Sequence, residues 1–250
     1  MAGHSQFKNV MHRKGAQDAR RAQQFTRLIR EITLAARGGL PIAASNPRLR
    51  AALAAAREAN LPKDTLERAI RKAAGPDSGK EIAEVRYEGY GPAGVAIIIE
   101  TATDNRNRTA SDLRAIFTRH GGALAETNAV TFLFERLGVL TYPSRVDADA
   151  LLEAAIEASV EDLRTDSEGH AITTAIDSFF AVRDALEAKF GPPEKAGLEW
   201  RPQRYVALDA EREPAVSRLL EAFNENEDVQ EVFSNALLPE SVEQAAAPQG

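Results

Sequence analysis

A chain of 250 residues with 44% hydrophobic and 27% charged residues has the composition of an ordinary soluble protein, with room for two or three domains and a sizeable core. It has no cysteine, which excludes a disulfide framework, a thiolate nucleophile and a cysteine-based zinc site. The formal net charge is −6, yet residues 1–80 hold 16 Lys and Arg against 6 Asp and Glu, while residues 81–250 hold 15 against 31. A basic front on an acidic body points to a polyanion partner, nucleic acid above all.

No apolar run approaches the roughly eighteen residues of a membrane span. The start lacks the apolar centre of a signal peptide. Functional-looking residues begin at Gly3 and leave no room for a disposable leader, so the expected compartment is the cytoplasm.

Residues 1–14 carry Lys8, His12, Arg13 and Lys14 with few large apolar residues. Such a segment has little to bury and is expected to be mobile until it meets a partner. From about Ala16, Phe25, Leu28, Ile29, Ile32, Ala35 and Ala36 recur at helical spacing, with Arg20, Arg21, Arg27 and Arg30 largely off that stripe. Gly38-Gly39 ends the helix. Asn46-Pro47 reads as cap and first-turn proline of a second helix, and Pro62 opens a third that closes at Gly75-Pro76. Three amphipathic helices with short joins make a bundle over residues 1–80.

Beyond it, Glu81–Tyr87 and Val95–Thr103 read as strands around the turn-rich run 89–94. The polar loop Asp104–Thr109 precedes a helix capped by Thr109 or Ser111 and stopped by Gly121-Gly122. Val130–Glu135 is a further strand. Residues 137–202 then give strand, helix, two strands, helix and strand, the order of a ferredoxin-like unit. Strand 205–208, helix 214–223 and strand 229–233 follow. The pieces on either side are each too small for a good core. The expected architecture is therefore α+β and multidomain: a three-helix bundle and two ferredoxin-like α+β domains. One of these, 137–202, is inserted into the other, 81–136 plus 203–238. Residues 239–250 read as a disordered tail.

Several strings together resemble the YebC/PmpR family, whose mitochondrial members act as translational activators of a cytochrome oxidase subunit. They include Met1-Ala-Gly-His-Ser5, His12-Arg-Lys14, Ala16-Gln-Asp-Ala19, Leu28-Ile-Arg-Glu-Ile32, Asn46-Pro-Arg-Leu-Arg50, Arg86-Tyr-Glu-Gly-Tyr-Gly-Pro92 and Thr103-Asp-Asn-Arg-Asn-Arg-Thr109. The match extends more weakly to Asp228-Val229 and Asn235. The chain departs from the family at Gln6-Phe7 and Val10-Met11, where Lys-Trp and Ile-Lys are usual, although Phe7 keeps a ring face for stacking on a base. The resemblance implies the same three-domain architecture and a non-enzymatic regulator of gene expression. Some members carry the label of DNA-binding transcriptional regulators. Others are ribosome-associated factors that help translation through difficult, often proline-rich, stretches.

The basic segment is the first candidate site. Each phosphate that Lys or Arg neutralises changes log affinity by about 0.7–0.9 per log unit of salt. Lys8, His12, Arg13, Lys14, Arg20, Arg21, Arg27 and Arg30 are the expected contacts. An ordinary solvated helix face mixes signs, whereas only Asp18 is acidic among the first thirty residues, and that favours binding. Asn105, Arg106, Asn107 and Arg108 form the second candidate, since Arg grips phosphate bidentately and Asn reaches base edges. The same residues read equally as a helix-entry loop that satisfies its own backbone.

His4 and His12 fit no compact metal site, and no metal or cofactor is expected. The run 89–94 lacks the spacing of a phosphate loop and reads as a hairpin turn. With no catalytic constellation to place, an enzyme is the least favoured class. The expected partner is DNA or ribosomal RNA, and through the latter the ribosome. The acidic remainder either restrains the basic front from promiscuous binding or docks a protein partner.

Overall fold

The computed structural model describes residues 3–75 and 82–237, with side chains from Arg21 onward. Helix α1 (Gly3–Gly38) runs without a break, and α2 (Pro47–Glu58) and α3 (Lys63–Ala74) pack against it. The start near Ala16 predicted from the apolar stripe is overturned. No proline precedes Pro41, so no residue from Gly3 to Gly38 lacks a backbone N–H, and Gln6, Lys8, Met11, Arg13 and Lys14 are good helix formers among weaker neighbours, which lets the helix extend past the stripe. Phe25, Leu28, Ile29 and Ile32 meet Leu49, Leu53, Leu66 and Ala69 in the bundle core.

Asn46 secures the join between α1 and α2. Its side chain accepts from the Leu49 N–H at 3.0 Å, as an N-cap should, and donates to the carbonyls of Ala35 at 2.7 Å and Leu40 at 2.8 Å.

The chain then divides into two compact units, residues 1–129 with 207–250, and residues 130–206. In the first, β1 (Ala83–Tyr90) and β2 (Ala96–Thr103) form a hairpin whose turn is tied by the Gly91 N–H to the Val95 carbonyl at 2.8 Å. This is the hairpin turn expected at 89–94. Next come α4 (Arg106–Arg119) and the short strand β3 (Ala123–Leu124).

The second unit comprises β4 (Phe134–Pro143), α5 (Ala148–Glu157), β5 (Asp162–Thr165), β6 (Gly169–Thr174), α6 (Phe179–Phe190) and β7 (Lys195–Pro202). The chain returns to the first unit with β8 (Val206–Ala207), α7 (Glu213–Asn224), β9 (Val229–Ser234) and β10 (Ala236–Leu237).

The first unit's sheet is antiparallel in the order β3-β1-β2-β9, and β8 pairs with β10 apart from it. Val95 to Ile99 are fully buried, as a central strand requires. Helices α4 and α7 meet through Phe117 and Phe223, whose ring centroids lie 4.6 Å apart at 62°.

The inserted unit is an antiparallel sheet ordered β5-β6-β4-β7, the ferredoxin-like arrangement expected from its βαββαβ order. Its bounds and first strand differ from the expectation. Val130–Glu135 is not a strand of the first sheet. A 3₁₀ turn at Thr131–Leu133 leads into β4, which pairs with β7 along Phe134–Thr141. Gly138 lies mid-strand with Phe179 packed on it, and a Cβ there would collide with the Phe179 ring and the Thr174 hydroxyl. Gly138→Ala is expected to destabilise the protein by about 1–3 kcal/mol through overpacking, measured by chemical unfolding.

Residue 81 and the expected tail 239–250 lie outside the described residues.

Candidate nucleic-acid interface

A helix of 36 residues is about 54 Å long, so α1 carries cations well beyond its own bundle contacts. The structure places Lys8, His12, Arg13, Lys14 and Arg20 on this helix, although their side chains lie outside those described. Arg21 is exposed and stacks its guanidinium 5.2 Å from the Phe25 ring centroid.

Arg27 and Arg30 differ from Arg21. Arg27 donates to the Asn224 carbonyl, and Arg30 donates to the Glu227 carbonyl and pairs with Asp228 at 2.8 Å. Their guanidiniums are thus engaged within the protein rather than presented to solvent.

Asp228 is the centre of this arrangement, with a side chain only 4% exposed. Besides Arg30, it accepts from Arg108 Nη2 at 3.0 Å and from Thr109 Oγ1 at 2.7 Å. Burial pushes its carboxyl pKa up, but the Thr109 and Arg108 hydrogen bonds and the charges of Arg30 and Arg108 outweigh that and hold it below the usual carboxylate value.

The loop at 104–109 accordingly separates into two kinds of residue. Asn105, rather than Thr109 or Ser111, caps α4, accepting from the Arg108 N–H at 3.1 Å. Thr109 is fully buried, and Asp104 pairs with Arg108 at 3.0 Å. The helix-entry reading thus describes Asp104, Asn105, Arg108 and Thr109. Arg106 and Asn107 keep exposed side chains.

Arg106 lines a cleft of about 210 Å³ with Ala83, Thr103 and Asp104. A second cleft of about 310 Å³ is lined by Arg30, Lys72, Ile82 and Asp104. The two share Asp104 and bring the exposed Lys72 of α3 and Arg106 of α4 to one region. Such cations can hold phosphate oxygens. Among the described residues no cluster of His, Asp and Glu is arranged to bind a metal.

Arg106→Ala is expected to leave the melting temperature within about 1 °C, since an exposed side chain away from structural contacts contributes little. Arg108→Ala is expected to lower it by several degrees, because it removes the Asp228 contact. Thermal unfolding of the two variants side by side checks this.

Lys72, Gln23 and Asp228 were not candidates from sequence. Asp228 is 120 residues from Arg108, so no local pattern marks the pair.

Residues 5–76 match the family model described as the TACO1/YebC protein N-terminal domain, and residues 82–236 match that of the TACO1/YebC second and third domain. A solved structure, the crystal structure of a conserved hypothetical protein Aq1575 from Aquifex aeolicus, is similar with a TM-score of 0.79 and 44% identity. The match covers 89% of this chain and 92% of that one. No described helix is long and apolar enough to cross a membrane.

Proposed function

Because this chain belongs to the TACO1/YebC family, we propose that it regulates gene expression without catalysis, by holding nucleic acid against the cations of α1. The observation that carries this reading is the helix itself: Gly3–Gly38 is continuous and has Asp18 as the sole acid among its first 28 residues. A rod of one sign suits a chain of phosphates, and counterion release supplies the affinity. The family model over residues 82–236 bears a transcriptional-regulator label, and DNA is the target that this label suggests.

One observation favours structured RNA, including that of the ribosome. Helices α2 and α3, joined by residues 59–62, are the pair that could enter a DNA groove as helix-turn-helix. However, α3 places Asp64 and Glu67 in its opening turns, where base contacts would be made. Two acids there meet phosphates of like sign. The protein on this reading recognises backbone and shape more than base sequence, and works in the cytoplasm.

Competition binding tests the choice. Labelled structured RNA should be displaced at least tenfold better by unlabelled RNA than by duplex DNA of random sequence. A duplex DNA that competes better than RNA would return the reading to transcription.

A further inference from the structure

Gln23, Arg27 and Arg30 stand at i, i+4 and i+7 of α1 and so share one stripe. All three donate to main-chain carbonyls where α7 ends: Gln23 to Glu225, Arg27 to Asn224 and Arg30 to Glu227. A helix C-terminus presents unpaired carbonyls and roughly half a negative charge. Asp228 adds a full carboxylate beside them, 2.8 Å from Arg30. Acceptor oxygens with net negative charge, strung along a chain, are what a phosphate backbone offers.

We propose that the end of α7 together with Asp228 is an internal substitute for nucleic acid. It occupies the Gln23–Arg27–Arg30 stripe in the free protein and is displaced by phosphates on binding. This rests on the reading of α1 as a phosphate-binding helix and adds the regulation of that site.

Three features fit a contact built to be released. First, the bundle is held to the α+β body by polar groups: the three donors above, and Arg48, which bonds Glu84 of β1 at 2.5 Å and Glu31 at 2.7 Å. The Arg48–Glu84 pair, 44% and 58% exposed, is of the surface kind that exchanges readily for water and salt.

Second, Arg27 is poorly satisfied when docked. Its Nε is buried without an acceptor, and desolvation lowers its pKa. A buried cation served by a carbonyl gains by moving to a phosphate.

Third, release does not orphan Asp228. Arg108 and Thr109 belong to the same α+β body and stay with it.

A ligand that competes with an internal contact binds with its affinity reduced by the fraction of protein that is open. Weakening the contact should therefore tighten nucleic-acid binding, and fixing it should weaken binding. Since the chain has no native cysteine, Gln23→Cys with Glu225→Cys creates a unique pair for a short bis(methanethiosulfonate) linker, which forms a disulfide with each thiolate, releases methanesulfinate and is cleaved on reduction.

With structured RNA at about 0.1 M salt, the bridged protein should bind at least tenfold more weakly than the same sample after reduction. Asp228→Asn retains acceptor and donor groups at that position. It should bind three- to tenfold tighter than the parent, with a salt slope steeper by about 0.9 for each cation set free. Equal binding by bridged and reduced protein would overturn the proposal, whatever Asp228→Asn does to folding.

A third measurement separates this from failure of the nucleic-acid reading. Inorganic polyphosphate should lower the yield of the bridge. An unchanged yield rejects displacement. A lowered yield in a protein that binds neither RNA nor DNA keeps the internal contact and rejects the nucleic-acid ligand.

Discussion

Asp228→Ala should lower the unfolding free energy by about 3 kcal/mol. Removing one partner from a buried ion pair typically costs about 3–5 kcal/mol, because the other charge and its hydrogen-bonding groups are stranded. Here the low end applies, since Arg108 is 45% exposed and recovers water readily. Arg30 is 17% exposed and recovers less. Thr109 and Thr103, both fully or nearly fully buried, lose a shared acceptor as well.

The effect depends on acidity in a definite direction. The folded carboxyl is held below its ordinary value, so its contribution is complete above the unfolded aspartate pKa of about 3.9. It is lost as pH falls from there through the folded value. Chemical unfolding of both proteins at pH 7 and at pH 3 should show the gap between them narrowing in acid. A gap that is the same at both values would mean the carboxylate charge is irrelevant to the hub.

Charge reversal at Arg13 and Lys14 should produce the largest functional loss. Each phosphate contact contributes a factor of about eight at 0.1 M salt, from a slope of about 0.9 per contact. Losing two contacts weakens binding roughly 60-fold, and the added repulsion of two glutamates weakens it further. The log–log salt slope should flatten by about two. Filter binding of Arg13→Glu with Lys14→Glu across a salt series reads both quantities. Far-ultraviolet circular dichroism should be unchanged, because Glu is a good helix former.

The contrast between these two predictions reflects what the sequence made legible. Short-range features were readable: the Asn46-Pro47 cap, the buried run Val95–Ile99 and the βαββαβ order all follow from neighbours within a few residues. The continuity of β4 across residues 136–138 was not readable, because Gly138 is packed by Phe179 from forty-one positions away. The start of α1 misled for another reason: an apolar stripe marks where a helix packs, not where it begins.

At the candidate interface the cationic residues of α1 were evident from composition. The division of labour among them was not. Arg27 and Arg30 look like Arg21 in sequence, and they differ because α7 ends beside them. Likewise Arg106 and Arg108 are two residues apart, yet only Arg108 reaches Asp228.

Photo-crosslinking of the full chain to bound RNA or DNA, followed by mass spectrometry of the attached peptides, tests the central claim most directly. The account predicts crosslinks concentrated on α1 between Lys8 and Arg30. Crosslinks confined to the inserted unit, with α1 unmodified, would contradict it.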